Sequence, residues 1–147
     1  ELAQAQYWDD LNFNRVIENF VVQGGCPDTP EGFGPSDYLI EPEFVPEIKH
    51  LYGAVGMGRD DNPRKLSAGC QFYLVHDAIG IARLDQKYTV FGQVFKGLNV
   101  LNRIATLPTD SLDSPLERVP FKVRVLELNK KELEALGGAQ FLKGDNQ

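Results

Sequence analysis

The sequence predicts a mainly β protein with a few short helices, and three observations lead to that prediction. The chain has 147 residues, the size of one ordinary domain, and 42% of them are hydrophobic, which is enough to form a core. Its 14 glycines and 9 prolines favour many turns and short elements over a helical bundle. The apolar segments are short, and several alternate with polar residues, as strands do.

The N-terminal part predicts a turn followed by a β-hairpin. The first dozen residues, through the segment at residues 7–11, have the character of a helix end that runs into a turn. Residues 13–17 alternate and carry β-branched side chains, and residues 20–23 form a partner strand that two glycines close. A three-residue loop between the two strands would place Arg15 opposite Gln23.

The middle of the chain combines one long loop with three further strands. Residues 26–46 are rich in Gly, Pro, Asp and Glu, which predicts an ordered loop. Its length exceeds that of most connections, and long loops of this kind tend to be functional. Strands are predicted at residues 53–57, 71–75 and 89–94.

A helix and a strand are predicted next. Residues 97–106 carry Leu98, Leu101 and Ile104 at helical spacing, which indicates a short amphipathic helix. Residues 119–128 are rich in valine and leucine and predict a closing strand.

The C-terminal segment predicts a short capped helix and a tail. Asn129 can cap a helix over residues 130–136, and two glycines end it. We expect residues 139–147 to be frayed. The sequence therefore predicts one domain over residues 1–128 and a C-terminal helical extension with a tail over residues 129–147.

The charge balance excludes two classes of partner. The chain has 15 basic and 21 acidic residues, a net charge of −6. A nucleic-acid backbone or an anionic membrane would be repelled at long range. No apolar segment approaches the roughly 20 residues that span a bilayer, so we expect no membrane insertion.

No metal or cofactor site is evident in the sequence. His50 and His76 lack a Cys or carboxylate partner at ligand spacing, so we expect no metal. Cys26 and Cys70 match no CxxC pattern and are free thiols or a single bridge. The glycines of residues 53–58 lack a long following helix, which argues against a dinucleotide loop.

The predicted hairpin brings an arginine and an amide together. Arg15 cannot deprotonate, which makes it a poor acid or base but a good fixed donor aimed at a carbonyl. Gln23 can hold it by accepting one N–H, and Phe20 lies beside them at the tip. The alternative interpretation is a surface cross-strand pair whose two members only satisfy each other.

The same segments resemble the cyclophilin peptidyl-prolyl isomerases. Residues 13–17 read Phe-Asn-Arg-Val-Ile, close to the family's Phe-His-Arg-Val/Ile-Ile, and residues 20–25 continue as Phe-x-x-Gln-Gly-Gly. Three more blocks follow in the family's order, at residues 53–59, 67–74 and 84–92. Four ordered blocks, with the first counted together with its continuation, cover the chain from about residue 7 to 128 and make chance agreement very improbable.

The resemblance implies a closed antiparallel β-barrel with capping helices and a set of site residues. Arg15 matches the catalytic arginine, and Gln23 matches the glutamine that orients it and touches the peptide. The residues that match the substrate-binding positions are Phe20, Val21, Gly58, Arg59, Gln71, Tyr73, Leu84 and Tyr88. Of these, Gly58 and Arg59 match the backbone that pairs with an extended substrate, and Gln71 matches a neighbouring pocket.

The implied reaction needs no cofactor. Rotation about an X–Pro bond is slow because amide resonance imposes a barrier of roughly 20 kcal/mol. A donor that pairs with the prolyl nitrogen as it becomes pyramidal favours the twisted state, and Arg15 is of the right type to do so. No metal, nucleotide or covalent intermediate is required.

The sequence departs from the common family pattern at several positions. Arg83 stands where the family often has a Trp that contacts cyclosporin, so binding of that drug is doubtful. Tyr88 replaces a His, as in many bacterial-type members. Val21 shortens the pocket floor, and Arg59 replaces Asn and could favour acidic residues in the substrate. Residues 31–35 match the family's glycine-rich loop only loosely.

Two functions from different classes follow. The first is a peptidyl-prolyl cis–trans isomerase that acts on proline-containing peptides and on unfolded or folding proteins, in the manner of a folding chaperone. The second is a cyclophilin-like module that binds proline peptides with little or no turnover. The sequence leaves the compartment open between the cytoplasm and a bacterial periplasm or envelope.

The resemblance also predicts a longer natural polypeptide. In the family, two strands and most of the first helix precede the segment that here begins at Tyr7. A barrel without those strands would expose ladder edges, so we expect additional N-terminal strands or another chain that supplies them. The mass of the native protein tests this, and a monomeric, folded protein that starts at Glu1 would contradict it.

Overall fold

The computed structural model of the protein describes residues 1–25 and 39–138, and it is mainly β as predicted. An antiparallel sheet dominates these residues, with few helices. The strands are β1 (Phe13–Val16), β2 (Val21–Gly24), β3 (Leu39–Ile40), β4 (Ala54–Met57), β5 (Ser67–Ala68), β6 (Phe72–Val75) and β7 (Val90–Gln93). The helices are a 3₁₀ turn at Ala82–Leu84, α1 (Leu98–Ala105) and α2 (Lys130–Ala135).

Five strands form one antiparallel sheet in the order β1-β2-β6-β4-β7, and β3 pairs with β5 in a small ribbon. The predicted strands at residues 13–17, 20–23, 53–57, 71–75 and 89–94 are thus confirmed within a residue or two of their ends. The register aligns one residue from each strand in a row across the sheet. From β1 to β7 this row is Arg15, Gln23, Tyr73, Gly56 and Val90.

The β1–β2 hairpin has the register that the sequence predicts. Arg15 pairs with Gln23, and the Ile17 N–H donates to the Val21 carbonyl at 2.9 Å. Asn19 adopts a left-handed conformation with φ 56°, which Asn tolerates better than most residues and which closes the turn. An irregularity between Phe13 and Arg15 shifts the register by one residue, as a β-bulge does.

The two faces of the sheet carry separate hydrophobic clusters. Adjacent residues in a strand point to opposite faces, so Val21 joins one cluster and Val22 the other. The Val22 cluster also contains Leu101 and Ala105 of α1, which covers that face. The Val21 cluster contains Tyr73 and Leu84 and forms the floor of a cavity.

Both predicted helices are present. The predicted helix at residues 97–106 is α1, which follows Gly97 in the left-handed region. The predicted cap of α2 is confirmed, since the Asn129 side chain accepts from the Glu132 N–H while the Glu132 carboxylate accepts from the Asn129 N–H. This reciprocal arrangement is a capping box, and it satisfies two backbone donors at the start of the helix.

The predicted closing strand at residues 119–128 is wrong for the described part of the chain. A strand needs a ladder partner, and this segment makes only an isolated bridge between Pro120 and Asn12. Beyond it, the Arg124 guanidinium binds the Asp9 carboxylate with two contacts of 2.6 and 2.5 Å. The segment is therefore held against the N-terminal residues by this ion pair and by two backbone hydrogen bonds, from the Phe13 N–H to the Val119 carbonyl and from the Phe121 N–H to the Leu11 carbonyl.

Other expectations are corrected or untested. Residues 2–10 form successive turns instead of a helix end. Within the described residues β1 and β7 are the two edges of an open sheet, so the closed barrel stays a prediction. Most of the predicted loop at residues 26–46, with Cys26, and the predicted frayed tail at 139–147 lie outside the described residues. No helix in the described part is long and apolar enough to cross a membrane.

The register row predicts a steric requirement at Gly56. A Cβ at this position would overlap the Tyr73 ring, whereas a Cβ at Gly92 of the neighbouring strand would meet Val55 at an ordinary 3.4 Å. We expect Gly56→Ala to lower the free energy of unfolding by about 1–3 kcal/mol because it overpacks this face. Gly92→Ala should change it by less than about 0.5 kcal/mol. Urea denaturation checks both, and equal effects would contradict the requirement.

Candidate active site

A cavity of about 130 Å³ opens on the Val21 face of the sheet. Residues from β1, β2 and β6 line it together with the chain after β4 and the segment around the 3₁₀ turn. They are Arg15, Phe20, Val21, Gln23, Gly58, Arg59, Tyr73, Arg83, Leu84 and Tyr88. Every predicted site residue except Gln71 is therefore in one place, and Arg83 joins them.

The wall of the cavity is apolar and partly aromatic. Val21, Tyr73 and Leu84 are buried in one cluster, with Phe20 and Tyr88 packed against it. The Tyr73 and Tyr88 rings meet edge to face, with centroids 6.2 Å apart. Such a wall accepts a small aliphatic ring and excludes water from it.

Arg15 lies at the edge of this wall and is held by a residue that the sequence did not indicate. Its Nε lies 3.4 Å from the Asp113 carboxylate, and its side chain is 33% exposed. Asp113 has φ 64°, and its carbonyl accepts from the Val16 N–H at 2.8 Å, which fixes this turn beside β1. The sequence indicates only a surface connection at this turn, because no local pattern predicts that the chain returns here to the β1–β2 hairpin.

The amide of Gln23 has a different partner from the one expected. It lies opposite Arg15 in the register, but its Nε2 donates to Gln71 Oε1 at 3.5 Å, and both glutamines are buried. Gln71 lines the neighbouring cavity of about 450 Å³, whose lining is mostly apolar and includes Met57 and Phe91. Gln23 thus connects the two cavities.

Some backbone N–H and carbonyl groups next to the cavity already form hydrogen bonds, and others are available to a ligand. The Gly58 N–H donates to the Gln71 carbonyl at 3.1 Å, and the Gly58 carbonyl accepts from Ala68 at 2.9 Å. Among the described residues, no hydrogen bond uses the backbone N–H or carbonyl of Arg59. An extended ligand chain can therefore pair with Arg59 without breaking an internal bond.

A buried hydrogen-bond chain lies behind the wall. His50, which is only 1% exposed, contacts Asp85 Oδ1 through Nδ1 at 2.8 Å and the Tyr73 hydroxyl through Nε2 at 2.8 Å. A carboxylate can only accept, so Nδ1 carries a proton, and Nε2 of a neutral ring accepts from the tyrosine. Burial raises the pKa of Tyr73 well above its ordinary value, so the hydroxyl stays protonated.

Asp85 anchors this chain in its ionised form. Burial raises the pKa of Asp85, but hydrogen bonds from the His50 backbone and ring, together with the charge of Lys49, lower it more, and the net pKa falls below its ordinary value of 3.8. Nothing in the sequence indicates this role of His50, which has there only the character of a metal ligand without partners. No group of residues in the described ranges could hold a metal ion.

The described residues combine an apolar cavity, the Arg15 guanidinium beside it and the available backbone of Arg59 on one antiparallel sheet, an arrangement that suits binding of a small apolar group in an extended chain. Comparison with known proteins agrees. Residues 1–125 match the family model for cyclophilin type peptidyl-prolyl cis-trans isomerase/CLD. The chain belongs to this family, and it functions as a peptidyl-prolyl cis–trans isomerase.

Individual relatives have the same activity in their names. A peptidyl-prolyl cis-trans isomerase of Arabidopsis thaliana is 32% identical over 121 residues, covering 81% of this chain and 71% of the relative. A peptidyl-prolyl cis-trans isomerase-like 1 of Neurospora crassa is 33% identical over 136 residues, covering 91% and 80%.

Solved structures share the fold. A cyclophilin type isomerase of Cryptosporidium parvum superposes with a TM-score of 0.75 at 26% identity, covering 87% of this chain and 80% of that one. A second structure of that protein, in the presence of the dipeptide Ala-Pro, gives a TM-score of 0.74 at 26% identity and covers 87% and 81%.

The Asp85 anchor predicts a dependence of stability on pH. The folded state keeps this carboxylate ionised at lower pH than the unfolded chain does. Its contribution to the stability of the folded state is therefore complete above the ordinary pKa of 3.8 and is lost as the pH falls through the pKa of the folded state. We expect Asp85→Asn to lower the free energy of unfolding at pH 7 by about 1 kcal/mol or more. The difference from the wild type should shrink below pH 3.8.

Urea denaturation at several pH values measures this difference. Asp61→Asn serves as the matched control, because Asp61 is exposed and should leave the profile of the wild type unchanged. A difference for Asp85→Asn that stays constant down to strongly acidic pH would contradict the anchoring role.

Proposed function

We propose that Arg15 is the catalytic residue of the isomerase and that the proline ring of the substrate occupies the 130 Å³ cavity. The observation that carries this proposal is the placement of the Arg15 guanidinium, oriented by Asp113, beside the apolar cluster that forms the wall of the cavity. An X–Pro segment presents the complementary features, an aliphatic ring for the wall and an amide nitrogen within that ring for the donor.

The reaction follows from amide chemistry. The C–N bond rotates only when the nitrogen gives up its resonance, and the lone pair on the pyramidal nitrogen then becomes a hydrogen-bond acceptor. A donor that meets this lone pair stabilises the twisted state more than the planar one, which lowers the barrier. Arg15 supplies the donor and keeps its charge throughout, so no proton is transferred.

Asp113 and Gln23 are assigned supporting roles. The Asp113 carboxylate, 3.4 Å from Arg15 Nε, limits the orientations of the guanidinium and leaves its terminal nitrogens for the substrate. Gln23 lies beside Arg15 in the register and touches the peptide between the two cavities. Because the Gln23 amide is hydrogen-bonded to Gln71, Gln23 supports Arg15 by lying opposite it in the sheet and not by a hydrogen bond to the guanidinium.

The apolar side chains and Arg59 bind the substrate in this proposal. Phe20, Val21, Tyr73, Leu84 and Tyr88 surround the ring, and its burial supplies most of the affinity. The backbone of Arg59 pairs with the extended chain on one side of the proline. The backbone groups of Gly58 already have internal hydrogen-bond partners. Gly58 therefore does not pair with the substrate, but it lets the substrate approach the backbone closely because it has no side chain.

The substrates are proposed to be proline-containing peptides and unfolded or folding proteins. A cyclophilin neighbour was solved in the presence of Ala-Pro, which supports binding of a minimal X–Pro unit. Isomerisation of such bonds is slow enough to limit folding, so a folding role follows from the activity. Weak cyclosporin binding, because of Arg83, stays a prediction.

Three structural expectations accompany this function as proposals. The first is a domain over residues 1–128 with an extension from residue 129, and the absence of buried residues in α2 supports it. The second is a closed barrel, which requires further pairing at the β1 and β7 edges. The third is the bacterial-type character that Tyr88 suggests.

Replacement of Arg15 tests the catalytic role. We expect Arg15→Ala to lose about 100-fold or more in kcat/KM, because the twisted state loses its donor. Arg15→Lys should recover part of the loss, since it keeps a cation without the fork of donors. A protease-coupled assay and NMR exchange on an Ala-Pro peptide measure the rates.

The matched control is Arg103→Ala, which removes an exposed arginine of α1 outside the cavity. Peptide affinity is measured alongside the rates. If Arg15→Ala and the wild type isomerise equally fast, Arg15 is not catalytic. If the wild type binds the peptide without accelerating its rotation, the chain is a binding module.

A further inference from the structure

The rim of the cavity carries more positive charge than the isomerisation requires. Three of the lining residues are arginines, and none of the others is acidic. This concentration of cations occurs in a chain whose net charge is −6. Arg15 is paired with Asp113, but Arg59 and Arg83 have no carboxylate within salt-bridge distance in the described residues.

Both unpaired guanidinium groups rest on the rings that form the wall. The Arg83 guanidinium carbon lies 4.4 Å from the centroid of Phe20, and that of Arg59 lies 4.4 Å from the centroid of Tyr88. A cation over an aromatic face is held by the ring quadrupole. The two groups are therefore held at the rim instead of extending into solvent.

Their donors are largely uncommitted. Arg59 uses its terminal nitrogens on the backbone carbonyls of Asp60 and Lys87, at 3.2 and 3.5 Å, while its Nε is buried with no hydrogen-bond partner. Arg83 makes no hydrogen bond or ion pair within the described residues. Each guanidinium carries five N–H donors, so the terminal nitrogens of both residues keep donors that an incoming acceptor can meet.

We propose that Arg59 and Arg83 form a subsite for an anionic side chain next to the substrate proline. The guanidinium fork matches the two oxygens of a carboxylate or of a phosphate monoester. Because rings already hold the guanidinium groups, less side-chain freedom is lost when the anion binds. The subsite thus selects Asp-, Glu- or phosphoserine/phosphothreonine-bearing X–Pro segments, and it rests on the proposed binding of proline in this cavity.

The charge distribution supports the same selection. An acidic chain repels anionic peptides at long range, so a local positive rim is needed to bring them to the site. The proline wall is neutral, which leaves the rim as the part of the cavity that distinguishes substrates by charge. The two arginines therefore determine specificity, whereas Arg15 determines the rate.

Pairs of peptides that carry an anionic or a neutral residue at the same position test the subsite. One series carries Glu or Gln, and a second carries phosphoserine or Ser, placed immediately before or immediately after the proline. NMR exchange gives kcat/KM without a coupling protease, and titration gives Kd. We expect the wild type to favour the anionic member of at least one pair by about fivefold or more in Kd and kcat/KM. The two series separate a carboxylate preference from a phosphate preference.

Substitutions at the rim should reduce this ratio. Arg83→Gln and Arg59→Gln are each expected to lower the anionic-to-neutral ratio, and the double variant should bring it to about one. Arg83→Lys should keep part of it, because the charge remains without the fork. Arg103→Gln makes the same charge change on α1, outside the cavity, and should leave the ratio unaltered.

Added salt provides a second criterion. The ratio should shrink between about 20 and 500 mM salt, because exposed charges are screened at high ionic strength. A wild-type ratio near one for every peptide pair overturns the subsite, as does an equal fall with Arg103→Gln. If the protein isomerises neutral peptides and shows no charge preference, the subsite is refuted and the proposed function stands. If the protein isomerises no peptide, the proposed function is refuted. In that case the Kd ratios still decide whether the subsite exists.

Discussion

The register of the antiparallel sheet determines which side chains meet at the cavity. It aligns Arg15, Gln23, Tyr73, Gly56 and Val90 in one row across five strands. Directly opposed residues share a face of the sheet, so the register itself places the arginine, the glutamine and the aromatic wall on the same side. A slip of one residue in any strand would turn its side chains to the α1 face and dismantle the cavity.

Loops from distant parts of the chain hold this row in place. The Asp113 turn supports Arg15 from one side, and the chain of Asp85, His50 and Tyr73 supports the wall from behind. His76 closes the hairpin by accepting from the Asn19 N–H at 3.1 Å. Buried polar groups of this kind are costly unless paired, so their pairing favours a single arrangement of the site.

The site separates two kinds of recognition. In the proposed binding mode, the neutral wall binds the ring through burial of apolar surface, which carries little information about neighbouring residues. The proposed subsite of Arg59 and Arg83 adds directional donors, whose interaction depends on the charge of the side chain beside the proline. Shape and charge can therefore vary independently, and a change at the rim can alter substrate choice while the wall stays the same.

Local patterns predict the strands of the main sheet, the helix α1, the cap of α2 and the pairing of Arg15 with Gln23, because alternation, turn residues and capping residues act over a few neighbouring positions. The partners of those residues are visible only in the folded chain. It joined Asp113 to Arg15, Gln71 to Gln23 and His50 to Tyr73, and it left residues 119–128 without a ladder. These contacts join segments far apart in the chain, and no local pattern encodes which segments will meet.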